Sequence, residues 1–122
     1  MELLPAFADA EDIALALFES AAPTWLSTPE VITPPLVVVR RTGGTDDLIT
    51  DSPRIQVDAF GSTHRQAVNL AEQCRQLVLA APATAVAGVS IDAAWTESAP
   101  VYLDYTQGVH RYVATYRLAY RR

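Results

Sequence analysis

The stretch from Arg54 to Pro82 constrains the fold more than any other, because a strand pattern changes to a helix pattern across one glycine. In Arg54-Ile55-Gln56-Val57-Asp58-Ala59-Phe60 the side chains alternate, with Ile55, Val57 and Ala59 on one face and Gln56, Asp58 and Phe60 on the other. Gly61 ends that strand. Ser62-Thr63 followed by Gln66 then offers a helix cap, in which Thr63 and Gln66 satisfy each other's backbone donors. Apolar positions Ala67, Leu70, Ala71, Cys74, Leu77 and Val78 follow at helical spacing, and Ala81-Pro82 closes the helix. A strand feeding directly into an amphipathic helix calls for a sheet with the helix laid on it.

The flanking segments supply the rest of that sheet. Residues 9–22 stripe Ile13, Leu17 and Phe18 with Ala10, Ala14 and Ala21, which predicts a first helix ended by Pro23. Pro23, Pro29, Pro34 and Pro35 make residues 23–35 an extended connector, with Trp25 and Leu26 expected to pin it to the core. Leu36 to Arg41 is a β-branched strand stopped by Gly43-Gly44, and it pairs with Arg54–Phe60 as a hairpin. The connection Thr42 to Pro53 is too long and polar for a tight turn and is expected to project as a loop.

Three further strands are expected over Val86 to Glu97, Val101 to Tyr105 and Val109 to Arg121, with breaks at Ser98-Ala99-Pro100 and Gln107-Gly108. In the last of them Tyr112, Ala114, Tyr116, Leu118 and Tyr120 alternate with the arginines. The expectation is one α+β domain over residues 1–122: a mostly antiparallel sheet packed by two helices, in the order helix-strand-strand-helix-strand-strand-strand. A chain of 122 residues, half of them hydrophobic and 19% charged, has enough apolar material for one core.

Several function classes are disfavoured. Met1-Glu2 is acidic and Pro5 and Asp9 interrupt any apolar run, so no secretory signal is read. The longest weakly apolar stretch, Val78 to Ala87, contains Pro82 and is too short to span a membrane. These two readings point to a protein retained in a cytoplasm. A net charge of −5, with nine arginines and no lysine, argues against binding nucleic acid through phosphate neutralisation. The lone cysteine, Cys74, sits in the helical stripe and reads as a small buried hydrophobe.

Chemistry-bearing motifs are missing as well. His64 and His110 have no second ligand at metal-site spacing, and Asp46, Asp47 and Asp51 lack the terminal glutamate of a calcium loop. No nucleophile elbow, phosphate loop or dinucleotide fingerprint occurs, and nothing pairs Asp58 with Asp92 as acid and base. No catalytic residue, metal site or cofactor is therefore expected.

Ser52-Pro53-Arg54-Ile55-Gln56-Val57-Asp58-Ala59-Phe60-Gly61-Ser62-Thr63, running into a helix with Ala67, Leu70-Ala71 and Leu77, resembles a family. It is similar to the small tail terminator and tail completion proteins of long-tailed, siphovirus-like bacteriophages. The order of elements is similar over nearly the whole chain, the residue pattern over about thirty positions. The resemblance implies a homo-hexameric ring that caps the finished tail tube, stops its polymerisation and meets the head-tail connector. It places the protein in the virion at the tail-neck junction, assembled in the host cytoplasm, with DNA passing through the ring but not specifically bound. Another neck or connector subunit, or a small-molecule-binding α+β module, remains an alternative. The twenty alanines and lysine-free basic set fit a GC-rich host.

Two groups of residues are expected at an interface. Leu48 and Ile49, stranded between Asp46-Asp47 and Asp51, either meet a partner or fold back on the domain. The acids Asp9, Glu11 and Asp12 near one end face opposite charge in Arg117, Arg121 and Arg122 at the other. Those two ends meet either within a subunit or head to tail between subunits.

Overall fold

In a computed structural model, which describes residues 3–122, the strand-to-helix segment forms as its pattern predicts. The acidic opening Met1-Glu2 lies outside the described residues. The elements are α1 (Ala10–Phe18), β1 (Thr24–Trp25), β2 (Leu36–Asp46), β3 (Thr50–Gly61), α2 (His64–Leu79), β4 (Ala85–Val86), β5 (Val89–Ser90), β6 (Ala93–Thr106) and β7 (Val109–Arg121). Five strands form one sheet in the order β1-β2-β3-β7-β6, antiparallel except for the short β1–β2 pairing, while β4 and β5 make a separate small hairpin.

Both helices lie on one face of the sheet. Val37 and Val39 of β2, Ile55, Val57 and Ala59 of β3, and Ala114, Tyr116, Leu118 and Tyr120 of β7 point into a core shared with α1 and α2. The α1 contribution is Ile13, Ala14 and Phe18; that of α2 is Leu70, Ala71, Cys74 and Val78. Thr63 caps α2, its side chain accepting from Gln66 N at 3.0 Å, while Gln66 Oε1 accepts from Ser62 N at 2.6 Å. Gly61 is needed there for space: a Cβ would lie 2.4 Å from Ala67 N, so only glycine lets the helix start this close to the strand.

Five expectations are corrected. The first helix ends at Phe18, four residues before the expected end, and a turn leads to Pro23. Trp25 and Leu26 are exposed and pin nothing; the connector is held by β1 pairing to β2 and by Ile32, which packs on Leu36, Val38 and Phe60. The expected loop Thr42 to Pro53 is mostly strand. A register shift at Gly43-Gly44, with φ of 119° and 112°, lets β2 resume pairing, so the turn shrinks to the residues between Asp46 and Thr50.

The expected strand Val86 to Glu97 is divided in two. Ala87 and Gly88, with φ of 52° and 77°, turn β4 tightly into β5. β6 then runs through Ser98-Ala99-Pro100 rather than breaking, with irregular register on both sides of Ser98. An edge strand tolerates this, since a proline whose nitrogen faces outward removes no ladder bond.

Candidate assembly surfaces

The β2–β3 arm ends in a hairpin tip held by three separate restraints. Asp47 Oδ1 accepts from Ile49 N and Thr50 N, both at 2.7 Å, which closes the turn. These backbone donors, Thr50 first, hold the Asp47 carboxyl below its ordinary range, so it is ionised. Arg122 grips the other side: its Nε donates to Leu48 O at 3.0 Å and its backbone N–H to Ile49 O at 3.3 Å. The same guanidinium donates to Pro5 O and stacks over the Phe7 ring at 4.0 Å. Below the tip, Arg41 makes a bidentate pair with the buried Asp51, both bonds 2.9 Å. The Tyr120 hydroxyl lies 2.9 Å from Ala8 O and 3.3 Å from Asp51 Oδ2.

Within this frame Leu48 and Ile49 do not fold back. They are 75% and 63% exposed. The geometry is that of a stiff finger with an apolar end and an ionised carboxylate beside it.

The acidic residues of the first helix have local work. Asp9 caps α1, accepting from Glu11 N at 2.8 Å, and Glu11 Oε2 accepts from Arg41 N at 3.1 Å on the edge of β2. Asp12 is exposed. α1 packs chiefly over β2 and β3, and among the described residues no ion pair joins Asp9, Glu11 or Asp12 to Arg117, Arg121 or Arg122. The arginines find other partners. Arg117 Nε lies 2.7 Å from Glu97 Oε1 and its Nη1 donates to Ser52 Oγ at 3.1 Å. Arg54 Nε donates to Glu97 Oε2 at 2.7 Å, and Arg121 pairs with Asp92 at 3.2 Å. The hydrogen bond from Arg54, reinforced by the charges of Arg54 and Arg117, holds the Glu97 carboxyl below its ordinary range.

Two further groupings emerge only from the topology. The face of the sheet opposite the helices carries Arg40, Arg54, Arg111, Arg117 and Arg121, with Asp58 buried between Arg40 and Arg111 at 3.9 and 3.8 Å. On the same face β6 exposes Trp95, Val101, Leu103 and Tyr105. Tyr105 stands edge-on to Phe60 at 5.2 Å and under the Arg111 guanidinium at 5.0 Å.

The two histidines, unrelated in sequence, also meet. His64 Nε2 lies 2.8 Å from the Tyr112 hydroxyl and His110 Nδ1 lies 3.0 Å from the Tyr102 hydroxyl, with the His64 and Tyr102 rings stacked at 5.0 Å. This ties the start of α2 to the β6–β7 hairpin. Among the described residues no three His, Cys, Asp or Glu side chains gather as a metal site, and no helix is long and apolar enough to cross a membrane.

Comparison with known proteins agrees with this architecture. No curated protein matches the sequence. Among solved structures, a chain from the virion of a native gene transfer agent particle superposes with a TM-score of 0.61 at 11% identity, covering 94% of this chain and 87% of that one. At that identity the likeness is one of fold. The family model described as phage tail termination protein matches residues 6–97, which include both helices, the hairpin arm with its tip, and the start of β6. The chain is therefore a member of the phage tail termination protein family, a structural component of the phage tail.

Proposed function

We propose that the protein acts as a ring of identical subunits, six by family resemblance, that caps the tail tube, ends its polymerisation and presents a surface to the head-tail connector. In this reading it sits at the tail-neck junction of the virion and is assembled in the host cytoplasm. The hairpin tip, Asp46, Asp47, Leu48 and Ile49, is the principal assembly contact. The observation that supports this is the stiffness of the tip: a turn carboxylate and the Arg122 clamp hold two large apolar side chains in water, where they add nothing to a monomer's core. Asp9, Glu11, Asp12 and the arginines of β7 then act chiefly within the subunit, with the exposed Asp12 left to steer encounters.

The test is to replace Leu48 and Ile49 with serine. The monomer should melt within about 0.5 kcal/mol of wild type, as for other exposed positions. Oligomers measured by mass should be lost, and tails seen by electron microscopy should lose their uniform length. Normal oligomers and normal tails from the double variant would refute the tip as a contact. A His64→Gln, His110→Gln, Cys74→Ala variant that folds should support tail completion like wild type, since the reading assigns no chemistry to these groups.

A further inference from the structure

The helix-free face of the sheet needs an occupant that is both apolar and acidic. Trp95, Val101, Leu103 and Tyr105 are exposed along β6 with no helix over them. Beside them run Arg40, Arg54, Arg111, Arg117 and Arg121, five of the nine arginines, against Asp58, Glu97 and the neighbouring Asp92. A chain of net charge −5 thus carries an excess of positive charge on one face. Bare phosphate is a poor match: Arg54 and Arg117 share Glu97, Arg121 is held by Asp92, and the apolar residues would stay wet.

Adding a strand to the edge is also a poor match. The register of β6 is irregular between Thr96 and Ser98, between Ser98 and Val101, and between Asp104 and Thr106, and Pro100 removes a donor. Its outer row of backbone groups is therefore an uneven template, and contact must be made by side chains on the face.

The chain itself carries the complementary shape. The tip presents Leu48 and Ile49 as apolar anchors with Asp46 and the ionised Asp47 beside them. Register puts the tip and the Val101, Leu103 and Tyr105 part of this surface at opposite ends of the sheet. Thr50 lies beside Arg121, whereas Phe60 and Leu103 lie beside Arg111, ten residues along β7. At the rise of a strand this is about 33 Å, so the tip cannot reach Val101 and Leu103 of its own chain. A second copy can.

We infer that the hairpin tip of one copy seats on the helix-free face of the next, with Leu48 and Ile49 against Val101 and Leu103 and the tip carboxylates toward Arg111. This rests on the ring reading above and adds the surface that receives the tip. Because donor and acceptor surfaces differ, the contact is directional and closes into a ring when the rotation per subunit allows.

Cysteine pairing tests it on full-length protein, both purified and in assembled tails. Native Cys74 is buried and stays in place. Leu48→Cys and Val101→Cys proteins, each alone, should give no disulfide on mild oxidation, and their mixture should give a crosslinked dimer. The double variant should give a ladder extending beyond the dimer. Leu48→Cys mixed with Leu79→Cys, exposed on α2, should give none. Oligomers that persist by mass measurement without the Leu48–Val101 crosslink would overturn the inference and leave the ring reading standing. A ladder that stops at the dimer would replace the directional contact with a two-fold one. Loss of tail completion without loss of oligomers in the serine-tipped variant would assign the tip to the tail tube. Retention of a short DNA duplex by wild type, lost in Arg111→Glu, would make the face a nucleic-acid surface. Monomers both in solution and in tails would remove the ring reading and this inference together.

Discussion

Replacing Tyr116 with phenylalanine should stabilise the protein. Tyr116 is 1% exposed in the middle of β7, and its hydroxyl has no hydrogen-bond partner. A cavity of about 10 Å³ beside the residue is walled by Ala14, Leu17, Phe18, Ile55, Val78 and Leu118. It is at the lower limit for one water and offers that water no polar groups. Burial pushes the hydroxyl's pKa well above the ordinary tyrosine value, so it stays neutral across the working pH range. A buried hydroxyl without a partner costs about 1–3 kcal/mol, whereas the ring itself packs equally well as phenylalanine. We therefore expect a net gain of about 1 kcal/mol, or roughly a five-fold rise in the folded-to-unfolded ratio. For a chain of this length that is about 4 °C in Tm. Urea denaturation should show a higher midpoint at unchanged slope. Tyr120→Phe is the matched control, because the Tyr120 hydroxyl meets Ala8 O and Asp51; it should lose about 1 kcal/mol. Equal losses in the two variants would show that the Tyr116 hydroxyl is bonded and that the reasoning from its isolation is wrong.

Gly44→Ala should unzip the hairpin arm: its Cβ would lie 2.3 Å from Ser52 O at a φ of 112°, and circular dichroism with proteolysis near residue 46 would detect the loosened tip. Cys74, whose thiol burial pushes up to about 12, should remain unmodified by a thiol-specific disulfide reagent at pH 8 until urea unfolds the chain; fast native labelling would contradict its burial. Glu97→Gln should flatten the acid limb of the stability curve. The folded-state pKa of Glu97 is lowered from 4.5 by Arg54 and Arg117, so its contribution is present above pH 4.5 and is lost as pH falls through the folded value. Identical acid limbs in wild type and variant would show that the two arginines do not depend on it.

The elements legible in the sequence are those whose determinants are local. Ile55, Val57 and Ala59 alternate within seven residues, and the Thr63–Gln66 cap closes within four, so both could be read without knowing any partner strand. The arm at Gly43-Gly44 could not. Whether two glycines end a strand or bulge it depends on Arg41 reaching Asp51 ten residues later, a contact that exists only once the strands pair. The tip was visible because Leu48 and Ile49 stand out among acids. The helix-free face was not, since alternation in β6 and β7 defines two faces without saying which one the helices cover. The same gap hid the partners of Arg117 and Arg121, which lie in β6 and just before it.

The strand order β1-β2-β3-β7-β6 places β7, which follows the other four in the chain, between two strands that precede it. Until β7 leaves the ribosome, β3 has no neighbour on one side, β6 has none at all, and the core lacks Tyr116, Leu118 and Tyr120. Arg122, which follows directly, is also the residue that steadies the tip. A nascent subunit therefore cannot present a finished finger or a finished face. The β3–β7 pairing joins residues far apart in the chain, which slows folding. On the ring reading proposed above, we expect few half-built subunits to join an assembly, so that the order of translation itself guards its quality.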